Sequence, residues 1–113
     1  MTTVNKNNGA VITLLKYTTY EERRNFSLSW RSLLNKGITH YVVDLSRLSY
    51  IDSGLLQALI ELASAARAGA GDVKLIARTP LVKKTLQISG LAEMFEVHSS
   101  VKTALKSFQH KGS

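Results

Sequence analysis

There is no cysteine among these 113 residues, which excludes disulfide staples, thiolate metal sites and cysteine nucleophiles. Acidic residues are scarce as well. Eight Asp and Glu stand against fifteen Lys and Arg, for a net charge of +7. Aromatic residues make up 7% of the chain, and none interleaves with a basic run as a platform for single-stranded nucleic acid requires. The cations are scattered (Lys6, Lys16, Lys36, Lys74, Lys102, Lys111), the densest pairs being Arg23-Arg24 and Lys83-Lys84. The positive excess is therefore read as steering an acidic protein partner, with no direct nucleic-acid binding expected. No apolar run approaches the roughly 20 residues of a membrane helix, so no membrane insertion is expected. The opening Met1-Thr2-Thr3-Val4-Asn5 lacks the layout of a secretory signal, and a cytoplasmic location is the expectation.

What is present describes an ordinary globular domain, 44% hydrophobic and 20% charged. A single domain over 1–113 is expected, with its core at about 10–108 and a frayed tail over 109–113. Asn7-Asn8-Gly9 signals a turn between strands over Thr2 to Lys6 and Ala10 to Lys16, the second apolar enough for a sheet interior. Thr18 and Thr19 each precede a Glu by three residues, at Glu21 and Glu22, which gives two overlapping capping boxes. The helix they open carries Phe26, Trp30, Leu33 and Leu34 on one face and stops at Gly37. His40 to Leu45 reads as a central strand covered on both faces. A helix from Asp52 or Ser53 runs to Gly69-Ala70-Gly71, and Val73 to Ala77 is the next strand. Thr79-Pro80, the only proline, starts a third helix that runs to Gly90. Phe95 to Val97 is a short strand, and Ser99 or Ser100 caps a last helix through Phe108. The alternation predicts an α/β fold: a mostly parallel sheet of four to five strands, an N-terminal antiparallel hairpin and four helices.

The most informative stretch is Asp44-Leu45-Ser46-Arg47-Leu48-Ser49-Tyr50-Ile51-Asp52-Ser53-Gly54-Leu55-Leu56. A buried strand runs into a short polar loop that enters a helix through Asp52-Ser53. A side chain there meets unpaired backbone N–H groups and the positive end of the helix dipole, where an added phosphate is favoured.

These residues resemble the signature of STAS domains of the anti-sigma factor antagonist type, written roughly D-L-S-x-V-x-x-I-D-S-S/T-G-L. Ala66-Arg67-Ala68-Gly69 resembles the A-R-x-A-G that closes the family's second helix. Pro80, Leu86, Gly90-Leu91 and Phe95 resemble its later P…L…G-L…F run. The resemblance implies a STAS-type fold and a non-enzymatic interaction module. Its partner would be an anti-sigma factor of the serine-kinase (GHKL) type, with a PP2C-type phosphatase as a further one. The docking surface would comprise Ser46, Ser49, Tyr50, Asp52, Ser53, Gly54 and Leu55. In the family the second hydroxyl residue of the motif accepts phosphate. Laid on without a gap, this chain offers Gly54 at that position; a one-residue deletion would make Ser53 the acceptor. Spacing favours the ungapped alignment, because it keeps Leu56 and Leu59 on the core stripe, whereas a deletion rotates all that follows by about 100°. An alternative role is constitutive, as a homo-oligomeric, stressosome-like scaffold or an accessory part of a membrane transport complex.

Other chemistry is poorly supported. His40, His98 and His110 lie in different elements with no partner at helical spacing, so no metal is expected. Asp44 and Asp52 flank the end of the central strand but lack the pocket that acid–base catalysis needs. No glycine-rich phosphate loop is present, Ser53 lacks a G-x-S-x-G setting, and no cofactor is expected.

Overall fold

Burial along the strands shows a sheet covered on both faces by unequal means. The computed structural model describes residues 2–4, 9–17 and 19–109. Asn7, Asn8, Thr18, His110 and the tail beyond it, on which several expectations fall, lie outside the described residues. The elements are β1 (Thr2–Val4), β2 (Gly9–Thr13), α1 (Tyr20–Asn35), β3 (His40–Asp44), α2 (Ser53–Ala68), β4 (Asp72–Ile76), α3 (Pro80–Ile88), α4 (Leu91–Met94), β5 (Glu96–His98) and α5 (Val101–Gln109). The strands lie in sequence order, with β1 antiparallel to β2 and the pairs from β2 to β5 parallel. On one face Ala10, Ile12, Tyr41, Val43, Val73 and Leu75 pack against α1, α2 and α3 in the main core. On the other, Val42 and Ile76 meet Ala104 of α5, with Val11, Val101, Leu105 and Phe108 around them.

Local chemistry sets the helix starts. Of the two possible capping boxes, the one at Thr19 forms: its hydroxyl accepts from Glu22 N and the Glu22 carboxylate accepts from Thr19 N, while Thr18 lies outside the described residues. Phe26, Trp30 and Leu33 then face the core, with Leu34 half-buried beside them. Pro80 occupies the first turn of α3, as expected.

Three differences from the sequence reading have physical causes. The strand expected to reach Lys16 ends at Thr13; Leu14 still points inward, but Leu15 is exposed. There is also a fifth helix. Gly90 takes φ 83, a left-handed conformation that breaks the run after α3 and lets Leu91–Met94 form a single further turn. Arg67 holds that turn in place, donating to the Met94 carbonyl at 2.6 Å and to Asp72 at 3.0 Å.

The third difference is Lys74. Counted among scattered surface charges in the sequence, it is fully buried in the middle of β4, on the face covered by α5. Its Nζ lies 2.7 Å from Glu96 Oε1, directly across the β4–β5 register, and 4.8 Å from the centre of the Phe108 ring. His98 Nε2 approaches the same carboxylate oxygen at 3.0 Å, and His40 stacks edge-on against Phe108. The hydrogen bond from Lys74 holds the Glu96 carboxyl below its ordinary value of 4.5; desolvation opposes it and His98 adds to it.

A carboxyl depressed on folding contributes stability above its unfolded value and loses it as pH falls through the folded one. Glu96→Gln is therefore expected to lower stability at pH 7. The loss should be about 1–2 kcal/mol, below the roughly 3–5 kcal/mol of a fully buried pair, because water reaches the half-exposed carboxylate. Urea midpoints of the two proteins should converge as pH drops below 4.5. A gap that persists at low pH overturns the assignment to this ion pair.

Candidate functional site

The site forms where β3 leaves the sheet. Asp44 Oδ1 accepts from Ser46 N at 2.9 Å, which turns the chain out of the strand, and Leu45 N still bonds Ile76 O at 2.9 Å. Leu48 and Ile51 are buried and pin the loop from beneath, while the Thr79 hydroxyl donates to Leu48 O at 3.2 Å. Between those anchors Ser49 and Tyr50 face outward. The loop tip is therefore held firmly and presented to solvent.

Asp52 then caps α2, its Oδ1 accepting from Leu55 N at 2.9 Å. Ser53 and Gly54 occupy the exposed first turn, and among the described residues the Ser53 hydroxyl makes no hydrogen bond. A Cβ on Gly54 would lie 3.4 Å from Asp52 Oδ1 and 3.9 Å from Arg23 Cδ, both ordinary contacts. Leu55 is a correction to the expected surface. Its side chain is fully buried and leads the core stripe Leu55, Leu59, Leu62, Ala63 and Ala66, whereas Leu56, which the ungapped alignment was expected to keep on that stripe, is only half-buried, so the spacing argument for that alignment does not hold. An i, i+4 pair beginning at Leu55 faces inward once Asp52 has fixed the start of the helix.

Ser49, Tyr50, Asp52 and the edge of Leu55 meet Leu15, Lys16, Tyr17 and Arg47 around a cavity of about 340 Å³. Ser53 and Gly54 sit beside it rather than in it, and Ser46 is half-buried below. Tyr17 forms part of the inner wall. Burial first, and then the Asp52 charge, push its hydroxyl above the ordinary value of 10.0, with Arg23 acting in the opposite sense. Leu15, Lys16 and Tyr17 come from the β2–α1 connection and Arg23 from the first turn of α1, and none was legible as a site residue. Parallel pairing of β2 with β3 brings the end of one strand beside the end of the other, so the two outgoing loops become neighbours.

Among the described residues no cluster of three or more His, Cys, Asp or Glu is placed to hold a metal, and no helix is long and apolar enough to cross a membrane. His40 packs against Phe108 and His98 against Glu96, at the far face of the sheet from α2.

Residues 4–104 match the STAS domain family. Over 76 residues the chain is 33% identical to a protein of Bordetella bronchiseptica described as the anti-sigma factor antagonist BtrV; the match spans 67% of this chain and 66% of that protein's length. The fold superposes on the anti-sigma factor antagonist SpoIIAA of Bacillus in its unphosphorylated form with a TM-score of 0.84, at 19% identity over 97% of this chain and 96% of that one. Against the phosphorylated form of the same protein the TM-score is 0.76, again at 19% identity, over 96% of this chain and 97% of that one. A Thermotoga maritima protein described as an anti-sigma factor antagonist superposes with a TM-score of 0.85 at 18% identity, over 95% of this chain and 92% of that one.

Proposed function

The chain belongs to the STAS domain family, and from that membership we propose that it is an anti-sigma factor antagonist that docks on a serine-kinase (GHKL-type) anti-sigma factor through the entrance of α2. The observation that carries this reading is the exposure of Ser49, Tyr50, Ser53 and Gly54 at the tip of the central strand, on a loop pinned by Leu48 and Ile51. A surface that is rigid and uncovered loses little conformational freedom on docking. The likeness to BtrV supports an anti-sigma factor as the partner.

Phosphate at this entrance would add about −1.5 to −2 charges in the middle of the contact and weaken it. Gly54 has no hydroxyl to esterify, so in the ungapped alignment the switch is missing and the protein stays competent to bind. Ser53 stands one residue away, about 100° around the turn, which misplaces its oxygen for an in-line transfer that depends on positioning. A PP2C-type phosphatase has a substrate here only if Ser53 is modified.

The test is a pull-down with the cognate kinase in its ADP- and ATP-bound states, followed by intact mass spectrometry. A complex is expected, with no phosphoryl group added after incubation with ATP. Failure to bind in either nucleotide state overturns the reading. Gly54 equally suits a constitutive assembly part, and light scattering of the protein alone separates that role by revealing large particles.

A further inference from the structure

We propose that the cavity between the β2–α1 and β3–α2 loops receives an apolar side chain of the docking partner whose neighbour in sequence is a carboxylate. This rests on the docking reading above and adds to it the chemistry of the contact. Buried Leu48, Ile51 and Leu55 make an apolar floor, while Leu15 and Tyr50, 59% and 52% exposed, stand at the mouth instead of closing over it. At about 340 Å³ the space is at the small end of ligand pockets, roughly 300–1,000 Å³, with room for one large side chain and part of the residue beside it.

Charge decides what accompanies that side chain. Lys16 and Arg47 line the same rim, both exposed, and neither makes an ion pair among the described residues. Asp52 is the acid in the lining, and its Oδ1 is committed to the backbone of Leu55. Two cations against the single Asp52 carboxylate leave the mouth with a net positive charge over an apolar well. A bare anion would leave the well unfilled, and a cationic segment would be repelled at the rim. A leucine or phenylalanine next to Glu or Asp satisfies both parts, the apolar group supplying affinity and the carboxylate fixing register and encounter.

The experiment titrates the 113-residue chain, followed by amide NMR at low salt, with three blocked dipeptides: N-acetyl-Leu-Glu-amide, N-acetyl-Leu-Lys-amide and N-acetyl-Gly-Glu-amide. The Leu-Glu probe is expected to shift the amides of Leu15, Arg47, Tyr50 and Ile51. Leu-Lys should bind about tenfold more weakly, a difference of about 1.4 kcal/mol, and Gly-Glu should leave the cavity amides unmoved. In Arg47→Glu the order of Leu-Glu and Leu-Lys should reverse; circular dichroism checks that this exposed substitution leaves the fold intact. Equal responses to Leu-Glu and Leu-Lys, a response to Gly-Glu, shifts lying elsewhere or no shifts at all would each overturn the proposal. The two readings fail separately. Dipeptide binding with no kinase complex sustains the cavity and removes the partner, whereas a kinase complex indifferent to Arg47→Glu, with silent dipeptides, removes the cavity alone.

Discussion

Gly71→Ala is expected to destabilise the protein by more than about 4 kcal/mol, against a total stability of roughly 5–15 kcal/mol for a domain of this kind. A Cβ at Gly71 would lie 1.8 Å from the Thr39 carbonyl oxygen and 2.4 Å from its carbon. Both are backbone atoms, and they cannot retreat. Thr39 O accepts from Asp72 N at 3.1 Å, next to the His40↔Asp72 register pair that begins the β3–β4 ladder. Relief would require breaking the pairing at the centre of the sheet. Gly69→Ala is the control, because its Cβ would meet the Thr39 methyl at 2.9 Å, a side-chain atom that can rotate away. Urea denaturation should show a large loss for Gly71→Ala and a small one for Gly69→Ala. A Gly71→Ala midpoint close to wild type would refute the account.

The same corner shows which parts of the fold were legible in the sequence. Gly69-Ala70-Gly71 announced the end of a helix, but not which residue would take the left-handed position. That residue is Ala70, at φ 63, with Gly71 N bonding Ala66 O and Ala70 N bonding Arg67 O. Glycine is usually placed there; here it is spent one position later, where Thr39 leaves no room for a side chain. Local chemistry speaks through neighbours in sequence, so Thr19 with Glu22, Asp52 before its helix and Thr79-Pro80 could all be read. Requirements imposed by distant residues could not. Lys74 looked like a surface charge because only its register with Glu96 and the cover of Phe108 make it a buried one.

The site divided along the same line. The loop from Asp44 to Gly54 was legible because one continuous segment carries it, and its Asx turn and cap are local. Half of the cavity was not, because Leu15, Lys16 and Tyr17 arrive from the neighbouring strand. Leu15 in particular ended an apolar run that read as sheet interior, and only the termination of β2 at Thr13 turns it outward. Leu55 went the other way, from expected surface to core, because the helix start at Asp52 fixes the phase of every residue after it.

Gly54→Ser is expected to create a phosphorylation switch at the entrance of α2. The space exists, since the nearest atoms to a new Cβ are Asp52 Oδ1 at 3.4 Å and Arg23 Cδ at 3.9 Å. The backbone gains as well, because replacing a helical glycine is worth roughly 0.5–1 kcal/mol for Ala and somewhat less for Ser. The new hydroxyl stands at the positive end of α2 with the Arg23 side chain alongside, so a phosphate there is supported by the helix dipole and Arg23 and opposed by the neighbouring Asp52 carboxylate. What the phosphate disrupts is the complex. Incubation with the cognate kinase and ATP should add one phosphoryl group to Gly54→Ser and none to wild type. The phosphorylated form should then bind at least about 100-fold more weakly, about 2.8 kcal/mol. Gly54→Ala, which fills the same space without a hydroxyl, should stay unmodified and bind as wild type. Adding Ser53→Ala to Gly54→Ser should leave phosphorylation intact, which assigns the new ester to residue 54. If wild type is itself phosphorylated and Ser53→Ala abolishes it, the acceptor is Ser53, the motif is shortened by one residue, and this chain keeps its switch at the first position of the helix.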